Sequence, residues 1–213
     1  MAFFLPYIIL LVSTFATGVY RWVRLSTADK WLCALLGLTI VQESIAYIFE
    51  SQFHDNFYTY HFYTPIELLL IAMYFDRTIK ILPPYYLGLG IGLSGVVLSV
   101  LNSIFLEPLY KMNTHFLLFE GWVVIILCLF SFYNMLVRER IRLVNMSQFW
   151  ITLCFLFYYS LTYMNFGLYG SVVGKQTDFG KFFALALYVT NLVFYIGINA
   201  TYARYTKLVP SGE

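Results

Sequence analysis

Three glutamates stand inside long apolar stretches of this chain: Glu43, Glu67 and Glu120. An ionisable side chain among apolar neighbours is costly, so it usually faces a protein interior where it can pair or meet water. Other polar groups recur at helical spacing. Glu43, Tyr47, Glu50 and His54 follow at intervals of four, three and four residues, which puts them on one helix face. Tyr158, Thr162, Asn165 and Tyr169 form a second stripe, and Tyr188, Asn191, Tyr195, Asn199 and Tyr202 a third. Three polar stripes predict a shared, partly hydrated interior able to hold a small ligand. The candidate ligand-binding residues are Glu43, Glu50, Glu67, Glu120, His61, His115, Asn165 and Asn191. The alternative for the Tyr and Asn stripes is hydrogen-bonded glue between helices, at about 1 kcal/mol per contact.

Other chemistries fit less well. Glu50, His54, Asp55 and His61 are metal-ligand types, but their spacing matches no compact binding motif, so no metal site is expected. Intramembrane hydrolysis needs a nucleophile with a base, or a metal-activated water. The chain has no HExxH or GxSxG pattern and no histidine after His115. A retinal-binding opsin would need a lysine within the last apolar run, whereas Lys181 lies at its mouth and Lys207 beyond its end. Neither a catalytic residue nor a cofactor is therefore assigned, and enzymatic activity is not expected. Cys33, Cys128 and Cys154 all fall in apolar runs and read as buried thiols.

The elements that must position these groups follow from composition. Of 213 residues, 61% are hydrophobic, 21% aromatic and only 11% charged, with mean hydropathy +0.74. Soluble domains carry roughly 25% charged residues, so lipid must be the solvent for much of this chain. The net charge of +2 is spread over short clusters, which excludes the continuous basic face that nucleic acid requires. Apolar runs at about 3–23, 31–50, 64–82, 85–106, 113–137, 147–170 and 181–203 predict an all-α integral membrane protein. The expected architecture is a single seven-transmembrane-helix bundle over residues 1–213, with short connections and antiparallel neighbours.

Charge sets the expected orientation. The first run has no basic residue before it and Arg21 and Arg24 after it, as in an uncleaved span that enters with its N-terminus outside. Ten basic residues then fall on the cytoplasmic side, including Lys30, Arg77, Arg138 and Arg204, against Lys111, Lys175 and Lys181 outside. The C-terminus is cytoplasmic, and the expected location is a bacterial inner membrane. At about 1.5 Å per residue, Glu67 would lie roughly 5 Å below the outer boundary and Glu120 roughly 10 Å, with Glu43 near the midplane. His54, His61 and His115 fall at the outer edge. The inner half is expected to hold only uncharged polar groups, such as Ser131, Asn134 and Asn199.

Two segments echo one another. Arg77-Thr78-Ile79-Lys80-Ile81-Leu82-Pro83 and Arg204-Tyr205-Thr206-Lys207-Leu208-Val209-Pro210 both read R-x-x-K, two aliphatics, then Pro. Val23-Arg24-Leu25 before Trp31 likewise resembles Ile141-Arg142-Leu143 before Trp150. Spans one to three would then repeat as five to seven, with the fourth as linker. That arrangement resembles the SWEET and PQ-loop architecture of parallel repeats, although the chain lacks the Pro-Gln pair of PQ-loop proteins. The stretch Tyr60-His61-Phe62-Tyr63-Thr64-Pro65-Ile66-Glu67 resembles a signature of small multi-pass membrane proteins of bacteria, and implies no particular activity. Its local reading puts Pro65 and Glu67 in the first turn of the third helix.

These features predict a receptor-like or sensor membrane protein with a small ligand in an outward-facing polar cavity. Its partners would be the lipid bilayer, that ligand and a protein docking at the cytoplasmic connection Arg138–Arg142. A small-solute transporter is the alternative, on the strength of the repeat and of a broken, glycine-rich fourth span (Gly88, Gly90, Gly92, Gly95). An accessory subunit of a larger complex is a third, on the 21 Phe and 19 Tyr that must reach the surface.

Overall fold

Helix boundaries in this chain follow local chemistry. The computed structural model describes residues 4–79, 86–138, 143–172 and 177–205. Among them are seven α-helices: α1 (Phe4–Tyr20), α2 (Thr27–Phe53), α3 (Phe57–Thr78), α4 (Tyr86–Phe105), α5 (Thr114–Arg138), α6 (Ser147–Val172) and α7 (Thr177–Tyr205). Ser26 caps α2 by accepting from Asp29 N at 3.1 Å, and its hydroxyl donates to Asp29 Oδ2 at 2.8 Å. This reciprocal pairing satisfies N-terminal donors that the helix cannot. His54 ends α2 in the left-handed region at φ 56°. After two intervening residues α3 begins, with Asp55 Oδ1 accepting from Phe57 N at 2.8 Å. A connection this short forces α2 and α3 into an antiparallel pair.

Four helices contain stretches long and apolar enough to cross a membrane: Thr27–Phe53, Leu87–Phe105, Thr114–Val137 and Ala184–Arg204. Leu5–Tyr20 is a shorter apolar helix. The four tyrosines each of α3 and α6 lower their hydropathy, although the tyrosine ring is largely apolar. Large apolar side chains such as Ile9, Val41, Leu93, Ile126 and Leu136 stand exposed on the outside. Apolar exposure spread over so many helices is what a membrane protein shows and a soluble one avoids.

The principal packing is a ring. α1 lies on α2, α2 on α3, α3 on α5, α5 on α6, α6 on α7, and α7 closes back on α1. Arg21 helps seal that closure by donating to the carbonyls of Tyr202 and Ala203 at 2.9 and 3.0 Å. α4 stands outside the ring, packed on α3. The fourth apolar run is not broken: α4 runs continuously, and Gly88, Gly92 and Gly95 form a packing surface against α3. A Cβ on Gly88 would lie 2.9 Å from the Ala72 carbonyl oxygen, and one on Gly95 2.7 Å from Leu68. Small residues at this spacing let two helix backbones approach closely.

Helix α3 begins seven residues earlier than its apolar run, because Phe57–Tyr63 is aromatic and polar yet still helical. Pro65 is therefore inside the helix and not in its first turn. A proline there removes the bond to the carbonyl four residues back, which belongs to His61. Ser99 Oγ on α4 lies 3.5 Å from that carbonyl. Glu67 correspondingly sits about 15 Å into α3 at 1.5 Å per residue, deeper than the sequence predicts and beyond reach of the helix N-terminus.

Candidate functional site

A cavity of about 910 Å³ occupies the ring's interior. It reaches from Asn56 and Phe57 at the α2–α3 connection, and Met112 before α5, to Leu35, Leu36 and Phe155 deeper in the bundle. Its floor is aromatic. Phe155 and Phe194, whose rings are 5.4 Å apart, line the cavity. Beneath them Tyr74 and Phe75, both fully buried, pack on Phe155 at 5.6 and 5.7 Å. These rings fill the ring's centre about 10 Å further along α3 than Glu67, at 1.5 Å per residue.

Glu43, Glu67 and Glu120 all line this cavity, from α2, α3 and α5. Each meets a tyrosine hydroxyl from another helix. Tyr7 on α1 donates to Glu43 Oε1 at 2.8 Å. Tyr159 on α6 lies 3.1 Å from Glu67 Oε1 and 3.5 Å from Glu120 Oε1. Tyr63 lies beside Glu67, and its hydroxyl is 2.9 Å from Thr39 Oγ1. Glu120 is only 1% exposed, while Glu43 and Glu67 are half-buried. Antiparallel packing explains the convergence. Glu43 is ten residues from the end of α2 and Glu67 ten from the start of α3, so both lie about 15 Å from the turn joining them.

Asn165 and Asn191 also line the cavity. Asn191 turns one donor back on its own helix, to the Leu187 carbonyl at 2.9 Å. Thr162 lines it too, and its hydroxyl oxygen is buried without a hydrogen-bond partner.

Three predicted site residues are elsewhere. Glu50 is exposed near the end of α2, as are Tyr47 and His54 of the same stripe. Steps of four, three and four keep these residues on one side of α2, since seven residues bring Glu50 to within about 20° of Glu43; Glu50 stands exposed about 10 Å nearer the helix end. The face of α2 that stays buried carries Thr39, Gln42 and Ala46, and Gln42 donates to Thr59 at 2.7 Å. His61 is buried between α3 and α4, away from the cavity. Its Nδ1 is 2.8 Å from Ser103 Oγ, and its Nε2 is 2.9 Å from the Lys111 carbonyl. A carbonyl can only accept, so Nε2 carries a proton. His115 is 68% exposed and pairs with Glu107 Oε1 at 2.7 Å.

His61 and Glu107 instead belong to a lock that holds the α4–α5 connection. Asn102 donates to Glu107 Oε2 at 3.0 Å and to Asn113 Oδ1 at 2.9 Å. Asn113 donates in turn to Thr64 at 3.0 Å, and the backbone N–H of His115 reaches Glu107 Oε2 at 2.9 Å.

The opposite end of the bundle is not free of acids, as the sequence suggested. Asp29 and Asp76 are buried there, in the first turn of α2 and the last of α3. Asp76 Oδ1 accepts from Gly88 N at 3.2 Å and ties α4 to α3, while Tyr202 donates to the Asp29 carbonyl at 3.2 Å. Both sit within a turn of the basic residues that mark the helix ends. The tyrosines that contact the carboxylates, Tyr7, Tyr63 and Tyr159, belong to none of the polar stripes read from the sequence. The connection Arg138–Arg142 lies outside the described side chains.

Among the described residues no three His, Cys, Asp or Glu side chains approach closely enough to hold a metal ion. What the cavity offers chemically is carboxylate and hydroxyl groups set in aromatic walls. Comparison with protein-family models, curated proteins and solved structures finds no match to this chain.

Proposed function

We propose that this protein is a multi-pass receptor of a cell membrane, binding a small ligand in the cavity between its helices. In this reading all seven helices cross the bilayer, with the N-terminus outside and the C-terminus in the cytoplasm of a bacterium. The distribution of cations supports that orientation. Arg21, Arg24, Lys30, Arg77 and Arg204 gather at one end of the helices, against Lys111 and Lys181 at the other, as the positive-inside rule requires.

The observation that carries the proposal is the convergence of Glu43, Glu67 and Glu120 on one cavity above an aromatic floor. Concave sites of a few hundred to a thousand Å³ with a few polar groups in apolar walls are the usual places for small ligands. Filling beneath Phe155 favours access from the outer face alone, which suits a receptor. Ligand binding would reposition α3, which links Glu67 to Asp76 and Arg77 at the cytoplasmic end and so to a protein partner there.

A carrier is the second reading, favoured by the packing order. α1–α2–α3 and α5–α6–α7 follow the same sequence around the ring, with α4 outside as the connecting helix, as in a three-plus-one-plus-three repeat. Asn191→Cys, in a chain whose native cysteines are replaced, separates the two. A membrane-impermeant thiol reagent should modify it in sealed vesicles from the outer face only. Modification from both faces would favour a carrier. Modification from neither would remove the open cavity and with it both readings.

A further inference from the structure

The ligand reading above leaves the class of molecule open, and this inference rests on it. We infer that the cavity accepts a small organic ammonium ion, held by carboxylates and seated against tyrosine and phenylalanine rings.

Charge selects the class. Among the described residues the cavity is lined by three carboxyl groups and by no lysine, arginine or histidine side chain. A ligand anion would meet no cation among these residues, whereas an ammonium ion would meet three carboxyl groups. Buried charges are stable only when paired and hydrogen-bonded, so a cationic ligand supplies what the walls lack.

Hydrogen-bond supply agrees. A carboxylate accepts at two oxygens with about four lone-pair positions. Tyr159 has one proton for two carboxylates, Glu67 and Glu120, so it can serve them only by turns. Thr162 adds a buried oxygen that receives nothing. An ammonium group brings up to three donors and no acceptor, which matches walls rich in acceptors.

The aromatic walls add the rest. Tyr158 and Phe194 stand 4.8 Å apart, and Tyr7 and Tyr195 5.7 Å apart, all lining the cavity. Such ring faces attract cations through their quadrupole, most strongly when water is excluded. A bare metal ion fits poorly, because no three ligand-type side chains approach closely enough among the described residues. The volume also suits a molecule of many atoms.

The test compares phenethylammonium with its neutral counterpart 2-phenylethanol and its anionic counterpart phenylacetate, by calorimetric titration of the purified protein in nanodiscs. The ammonium should bind about tenfold or more tightly than the alcohol, as one charge-assisted hydrogen bond implies, and the acid weakest. Glu67→Gln and Glu120→Gln should each reduce the ammonium affinity about tenfold and the alcohol affinity much less, because only the ammonium loses a charge-assisted bond. A cooperative thermal unfolding transition in nanodiscs shows that a variant is folded, and Glu43→Gln supplies a third variant. Equal binding of alcohol and ammonium, preferred binding of the acid, or an ammonium preference that survives all three substitutions would overturn the inference. So would absence of ammonium binding to a protein whose Asn191→Cys variant is reachable by thiol reagent. That last result leaves the receptor reading standing, whereas an unreachable Asn191→Cys ends it independently of ligand class.

Discussion

Glu67 on α3 and Glu120 on α5 share one proton donor, the hydroxyl of Tyr159 on α6, at 3.1 and 3.5 Å. Three helices distant in sequence are thereby joined at one oxygen atom. The same atom sits in the cavity wall, so the contact that braces the bundle also borders the candidate site. Removing the hydroxyl must therefore register both in stability and in binding.

Tyr159→Phe keeps the ring that stacks on Phe155 at 6.3 Å and deletes only the donor. The expected loss is about 1–3 kcal/mol, the cost of leaving a buried polar group unpaired. Thermal unfolding in nanodiscs measures it. A double-mutant cycle with Glu67→Gln should show coupling, and strictly additive effects would mean that the hydroxyl does not serve Glu67.

His61→Ala should act on stability and leave ligand affinity in place. Its ring bonds Ser103 and the Lys111 carbonyl outside the cavity, and losing both contacts should cost about 1–3 kcal/mol. Unfolding and titration on the same preparation separate the two effects. A large fall in affinity with unchanged stability would return His61 to the binding site.

Gly88→Ala and Gly90→Ala make a matched pair on α4. The first places a Cβ 2.9 Å from the Ala72 carbonyl oxygen, part of a backbone that cannot turn aside, while nothing lies within 4 Å of the second. Overpacking at Gly88 should cost about 1–3 kcal/mol. Gly90→Ala should be neutral or gain a little helix propensity, up to about 1 kcal/mol. Equal unfolding midpoints for the two variants would show that α4 does not press on α3 at Gly88.

The seven crossings proposed above predict an alternating pattern of reporter activity. Alkaline phosphatase, active only outside the cytoplasm, should work when fused at Lys111 and fail when fused at Arg24 or Arg142. The reverse assignment at any of the three sites would remove at least one crossing from the count.

Much of the helical framework was legible in the residues. Runs such as 113–137 and 147–170 match α5 and α6 within a few residues, because twenty apolar side chains in a row have few other structures available to them. The exception is informative. α3 starts at Phe57 because tyrosine, threonine and histidine pack as well as leucine when a neighbouring helix supplies partners, here Gln42 for Thr59 and Ser103 for His61. Local hydropathy cannot register a partner many residues away.

The candidate site divides in the same way. Glu43, Glu67 and Glu120 stood out by themselves, since a carboxylate in an apolar run is expensive wherever the chain folds. Their tyrosine partners did not, because one tyrosine in a helix looks like another until its hydroxyl finds an acceptor. Glu50 and His115 lie outside the cavity lining for reasons that residue type does not register: Glu50 is about 10 Å nearer the end of α2 than Glu43, and His115 pairs with Glu107.

Composition alone thus determined that the chain is helical and suited to lipid, and which charges would be costly inside it. Those are sums over residues and hold for any arrangement of the helices. Tertiary structure decided which charges meet, that α4 stands outside the ring, and that His61 fastens a connection and lines no cavity. Each of these depends on contacts between residues separated by tens of positions, and only the packed helices specify them.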